Sequence, residues 1–281
     1  MSSSLQKFTH KGFGAASYFA PNICAQLAFR QWAKTFRHNT PRHELSWASS
    51  AKQEFVSSND GNLNTLIWPA KGPKVLLAHG WNGRASQMGA FAKPLNDAGY
   101  EVISIDLPGH GSSPGKSSSL PEAAQALLDA QQHYGEFNAV IGHSFGGAAS
   151  LLAISKGFST QAAITVGSPS KLEWLLDIYS EHLKFSPSAK QKLAKLLEKK
   201  FGADIWQRCN FEKIGPTLIT AGLVIHDTDD KEVPYYHAEK IANAWSAQLH
   251  KTTGLGHKRI LKDSGVIEAA VSFIKMQPSG N

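Results

Sequence analysis

The chain has 281 residues, 42% of them apolar, with ordinary glycine and proline content; that allows one large α/β domain or two small ones and excludes a disordered or fibrous class. The net charge of +7 is local: residues 1–43 hold Lys7, Lys11, Arg30, Lys34, Arg37 and Arg42 with no acid, residues 184–200 hold six lysines against Glu198, and the mildly acidic remainder excludes a general nucleic-acid footprint. No run of 18 apolar residues exists to form a membrane-spanning helix, and the two cysteines, Cys24 and Cys209, neither build a disulfide framework nor show metal-ligand spacing.

In chain order, the first feature is basic. Lys7 and Lys11 precede GFGAASYFAPNICAQLA, a stretch loosely like a secretory signal but interrupted by Pro21, Asn22 and Gln26 and lacking a small-x-small cleavage site. A cytoplasmic chain is therefore expected. Over 22–37, Ala25, Phe29, Trp32 and Phe36 recur at helical spacing, with Arg30, Lys34 and Arg37 elsewhere on the surface. Such a basic amphipathic helix either docks its apolar stripe on the parent domain or rests on an anionic membrane surface, making the protein peripheral to the membrane. This N-terminal segment is taken as residues 1–45. KQEFV and LNTLIW then flank SSNDGN, whose Asn-Asp-Gly predicts a hairpin turn.

Short apolar runs next alternate with helical patterns. KVLLAH (74–79) leads to a helix near 85–98, EVISID (101–106) to one near 120–134, and NAVIGH (138–143) to one over 146–156. After QAAITVG (161–167) comes a stretch without strand pattern, 168–213. In it Trp174, Leu175, Ile178 and Leu183 predict one helix, and Leu193, Leu196, Leu197 and Phe201 another. Lys190, Lys192, Lys195, Lys199 and Lys200 cover much of the second, as on a solvated face. PTLITAGLVIHD (216–227), a helix near 235–246, QLHKTTG (248–254) and a helix near 264–275 complete the series. Buried β-runs alternating with helices mean βαβ units, hence an α/β fold with a mostly parallel central sheet flanked by helices.

Two stretches carry chemistry. Gly142-His143-Ser144-Phe145-Gly146 falls where a β-run gives way to a helix, in the G-x-S-x-G pattern. A serine on so sharp a turn is presented to substrate, flanking glycines let neighbouring chains approach, and the helix N-terminus favours negative charge developing nearby. HDTDDKEVP (226–234) offers three aspartates, Asp227, Asp229 and Asp230. With His226 they suggest a metal site, but the segment lacks the glycine and closing glutamate of a calcium loop, so no metal is expected. No G-x-x-x-x-G-K-[ST] phosphate loop is present, and no cofactor is expected.

Five motifs in order resemble the α/β-hydrolase family: VLLAHGW (75–81), DLPGHGSSPG (106–115), IGHSFGG (141–147), LVIHDTDDKEVP (223–234) and GLGHKRIL (254–261). The resemblance covers roughly residues 50–275. It implies the α/β-hydrolase fold over 46–281, with a helical cap inserted at about 170–212 that controls access to Ser144. It implies Ser144 as nucleophile, His257 as general base, and an oxyanion hole from the backbone N–H groups of Trp81 and Phe145, in a single-glycine loop. The triad acid is one of the three aspartates, and the resemblance selects Asp230, which stands at the family's distance before Val-Pro. Asp227 ends a strand, where it satisfies turn amides, and Asp229 takes a variable position. His79 and His110 fall in structural loops, His143 is the variable residue of the elbow, and His226 bonds locally. The implied activity is a carboxylesterase-like serine hydrolase acting on a small-molecule acyl ester or thioester. Ser144 argues against the aspartate-nucleophile chemistry of dehalogenases and epoxide hydrolases. Cofactor-free haloperoxidase or perhydrolase activity and C–C hydrolysis use the same triad and stay open. So does a non-catalytic binding or membrane-surface protein of this fold, against which a complete triad speaks.

Overall fold

The computed structural model describes residues 12–59 and 61–277, so Lys7, Lys11 and Asp60 of the hairpin turn lie outside the described residues. The chain forms two compact units: residues up to Lys34 with Lys171–Asn210, and Thr35–Ser170 with Phe211 onward.

The larger unit is built on an eight-stranded sheet. Its strands are β1 (Lys52–Ser58), β2 (Gly61–Trp68), β3 (Lys74–Ala78), β4 (Glu101–Ile105), β5 (Phe137–His143), β6 (Thr160–Val166), β7 (Ala221–Asp227) and β8 (Gln248–Thr252). They lie in the order β1-β2-β4-β3-β5-β6-β7-β8. β1 and β2 form the antiparallel hairpin and β2 pairs antiparallel with β4; every pairing from β4 through β8 is parallel. After β3 the chain steps outward to β4, then returns to the other side of β3 with β5. The loops leaving β3 and β5 therefore diverge, which opens a crevice at their carboxyl ends.

The central strands are covered on both faces, which is why they read as continuous apolar runs rather than alternating ones. Val75, Leu77, Ala139, Ile141, Ile164 and Ile225 point to one face and pack with Met88, Phe91 and Leu95, and with Phe273 and Ile274 of the C-terminal helix. On the other face, Gly142 and Gly222 leave room for a helix backbone and for the Trp245 ring. The helix over 120–134 begins on Ser119, whose hydroxyl accepts from the Glu122 amide, and stops at Gly135, φ 83°.

In the larger unit two expected boundaries differ. The run 216–227 enters the sheet only at Ala221. Gly215–Thr217 forms a 3-10 turn around Pro216, which has no N–H to give a ladder, and Ile219 is fully exposed. The helix expected near 85–98 is a 3-10 stretch, Ala85–Phe91, followed by a short α-helix, Ala92–Asp97.

The smaller unit is helical. Helix α1 (Pro21–Trp32) packs Ala25 and Ala28 against Leu193 and Leu197 of α3 (Pro187–Phe201), and Leu176 of α2 (Leu172–His182) completes that core. Ser186 donates its amide to the Ser17 hydroxyl and its hydroxyl to the Ser17 carbonyl, across 169 positions of sequence. The basic helix expected over 22–37 ends at Trp32. Beyond it, Thr35 and Arg37 already belong to the larger unit, where they donate to the carbonyls of Gly109, Gly111, Ser113 and Gly115 in the loop after β4.

Candidate active site

Both chains that leave the central crevice are set by local geometry. β5 ends at His143 and the next helix, Phe145–Ser155, starts two residues later, so Ser144 makes the whole turn. It does so at φ 50°, ψ −114°, a left-handed conformation that a residue with a side chain adopts only under constraint. Gly146 permits the turn, because a Cβ there would strike the carbonyls of Ala78 and His79 at the end of β3. Phe145 opens the helix, so its N–H has no intrahelical acceptor.

The loop after β3 is pinned through one carbonyl. The Leu107 amide donates to His79 Nε2 at 3.0 Å, so the His79 proton sits on Nδ1 and is donated to the Gly80 carbonyl at 2.7 Å. The Gly83 amide reaches the same oxygen at 3.0 Å. In a trans peptide the following N–H points the opposite way, so two donors on Gly80 O also fix the direction of the Trp81 N–H. Burial holds the His79 imidazole down to about 4, which keeps it neutral and in this tautomer around pH 7. The indole of Trp81 is partly exposed and stands edge-on to Phe145, ring centres 4.9 Å apart, and to His110 at 5.1 Å.

Beyond β7 and β8 the acid and histidine loops are laced together by the three aspartates. Asp230 Oδ2 accepts from His257 Nδ1 at 2.7 Å, and its Oδ1 accepts from the Glu232 and Val233 amides. Buried almost completely, its carboxyl would be pushed upward. Hydrogen bonds from His226, His257 and the Val233 amide outweigh that and hold it well below the usual carboxylate range. It is therefore an anion at neutral pH, so His257 carries its proton on Nδ1 and leaves Nε2 with a lone pair. Asp227 accepts from the Thr252 hydroxyl and the Leu255 amide on Oδ2, and from the Asp229 amide on Oδ1. Asp229 accepts from the Gly254 amide. These two fasten the loop that carries His257.

Two histidines join the site that the sequence left as bystanders. His143 donates Nε2–H to the His257 carbonyl at 2.9 Å, and its ring lies 4.7 Å from the His257 ring; burial, then the neighbouring His257, lower it to about 3. His226, fully buried, donates Nε2–H to the Val233 carbonyl at 2.8 Å, with Asp230 Oδ2 at 3.5 Å. No pattern marks the variable position of G-x-S-x-G for such a bond, so His143 could not be found from sequence.

Gly167 gathers the parts. The Ser144 amide donates to the adjoining Val166 carbonyl, and a Cβ on Gly167 would meet His257 Nδ1 and Asp230 Oδ2 at 3.3 and 3.4 Å. Serine, imidazole and carboxylate thus surround one residue at the carboxyl end of β6. The exposed Glu232 carboxylate lies 3.9 Å from His257 Nε2 and 3.3 Å from Lys258 Nζ. A cavity of about 800 Å³ runs along the outer side of the acid and histidine loops; Ser144 is not among its walls. No group of histidine, cysteine and acidic side chains with metal-binding geometry occurs among the described residues.

Sheet order, elbow and loop series define an α/β-hydrolase scaffold, and residues 75–269 match the alpha/beta hydrolase family. The chain belongs to that family. It is 43% identical over 61 residues to a pimeloyl-[acyl-carrier protein] methyl ester esterase of Methylococcus capsulatus, a match that spans 21% of this chain and 24% of that relative's length. Among solved structures it resembles an esterase from Pyrococcus furiosus (15% identity, 87% of this chain and 98% of that one, TM-score 0.65). It also resembles a bromoperoxidase from Bacillus anthracis (16% identity, 80% and 100%, TM-score 0.62). Likeness at that level shows the fold, and the fold carries more than one chemistry.

Proposed function

We propose that this hydrolase cleaves an acyl ester or thioester of a small molecule through an acyl-enzyme on Ser144. His257 Nε2 takes the proton of the Ser144 hydroxyl as its oxygen bonds to the substrate carbonyl carbon. Asp230 holds the opposite N–H, which keeps the tautomer and stabilises the imidazolium. The N–H groups of Trp81 and Phe145 receive the tetrahedral oxyanion. As the intermediate collapses, the C–O or C–S bond to the leaving group breaks and the imidazolium proton goes to the departing alcohol or thiol. Water, deprotonated by the same imidazole, then attacks the acyl group and releases the acid and the free serine.

The observation that carries this reading is Ser144 alone in a left-handed turn between β5 and a helix, beside a 2.7 Å Asp230–His257 pair. Strain at such a position persists because the surrounding fold imposes it. An esterase in the short sequence match and an esterase among the similar structures support acyl transfer. A fluorophosphonate probe is expected to label the protein at Ser144, with labelling abolished in Ser144→Ala. Undiminished labelling of the alanine variant, or none of the wild type, overturns the proposal.

A further inference from the structure

Helix α1 is apolar on two sides. Its inner side, Cys24, Ala25 and Ala28, is buried. On a different side Ile23 and Leu27, four residues apart, are 61 and 45% exposed, and Tyr18 and Phe19, in the chain that leads into α1 across the non-helical Ala20, are 67 and 90% exposed. Four large side chains so exposed within residues 18–27 are unusual on a protein bathed only in water. Leu27 also walls a groove of about 620 Å³ shared with Phe13, Tyr179 and Leu183, so the apolar surface continues off the helix.

The charge of this helical unit is predominantly positive. Arg30 follows Ile23 and Leu27 at i+7 and i+3 and falls on their side of the helix, and residues 12–34 contain no acid. Residues 12–34 and 171–210 together carry ten lysines and arginines against five acids. Two of those acids are already engaged, Asp177 with Lys190 and Asp204 with Arg208. A second copy of the chain meeting this face about a two-fold axis would bring Arg30 and this excess of cations against themselves.

We infer that this side of α1, together with the Tyr18–Phe19 end of the chain leading into it, is a docking surface for an anionic lipid surface. Phe19, Ile23 and Leu27 enter the acyl boundary, Tyr18 sits at headgroup level, and Arg30 meets lipid phosphate. The inference is independent of the chemistry proposed for Ser144, since none of these residues belongs to that site.

The test is co-sedimentation of the full-length chain with phosphatidylcholine vesicles, with and without phosphatidylglycerol, at low and high salt. The expected result is pelleting that requires phosphatidylglycerol and weakens with salt. The exposed-site variant Phe19→Asp/Ile23→Asp should lower partitioning at least about tenfold. Arg30→Gln, which cannot disturb a core, should lower it about fivefold. Circular dichroism and melting should match wild type in both. Absence of binding to the anionic vesicles, or equal binding by the double variant, overturns the inference. So does a concentration-dependent dimer that the double variant abolishes, because the face would then be covered by a second copy.

Discussion

Asp227, Asp229 and Asp230 are chemically identical and lie within four positions, so their roles are set by what each can reach. Asp230 meets an imidazole; Asp227 and Asp229 meet backbone amides and a hydroxyl. An asparagine at 230 can present its amide to His257 Nδ1 and favour the wrong tautomer, which in the serine-protease template costs about 10⁴ in turnover. For Asp230→Asn a loss of about 10²–10⁴ in kcat/KM is expected, with little change in melting temperature. Asp227→Asn places an NH₂ where only donors point, and is expected to cost about 1–3 kcal/mol of stability while activity of the folded protein stays within about tenfold. Asp229→Asn, near the surface, should leave both nearly unchanged. Ester hydrolysis and thermal melts on the three variants check this. A crippled but stable Asp227→Asn beside an active Asp230→Asn would reverse the assignment. Spacing before Val233-Pro234 made Asp230 legible in the sequence. The Asp229 amide that Asp227 holds is the local turn bond expected of it, whereas the Gly254 and Leu255 amides held by Asp229 and Asp227 lie 25 and 28 positions away, and no local pattern encodes such a reach.

At the level of elements, the loop after β3 separates backbone work from side-chain work. His79 and Gly83 orient the Trp81 N–H through the Gly80 carbonyl, and the indole has no part in that. Trp81→Ala should therefore keep the amide in place and change what packs beside it. The expected outcome is a shift in relative kcat/KM across p-nitrophenyl esters of different chain length, exceeding the change for the best substrate. Equal loss on every ester, with the fold intact, would mean that the ring itself holds the loop. The alternation of β-runs and helices was readable because central strands buried on both faces have no polar side to interrupt them. The start of β7 was not, because the apolar residues Leu218 and Ile219 extend the run although the chain there turns around Pro216. The partner of α1 was equally hidden: an apolar stripe states that a helix is covered, and topology alone decides by what.

For the molecule as a whole, neutral buried histidines set an acid limit. His79, His110 and His143 titrate near 4, 3 and 3 in the fold, lowered first by burial, against about 6.5 in an unfolded chain. Above pH 6.5 both states hold them neutral and stability is unaffected. As pH falls from there toward 4 the unfolded chain takes up protons that the fold refuses, so stability declines. The slope is at most about 1.4 kcal/mol per pH unit for each histidine. Urea unfolding at intervals between pH 7.5 and about 4.5 should show that decline beginning near 6.5. His143→Gln should make it shallower, and a flat profile down to pH 5 would show that these rings are protonated in the fold.

The helical unit joins residues 12–34 to a segment that begins at Lys171. During synthesis, then, α1 leaves the ribosome before its partner α3, which follows some 155 residues behind it. At ordinary elongation rates that delay is roughly ten to thirty seconds. Throughout it, the inner residues Ala25 and Ala28 are as bare as Ile23 and Leu27, and the nascent chain shows apolar surface on both sides of one short helix. Whatever binds such a helix at the exit tunnel has its opportunity in that interval.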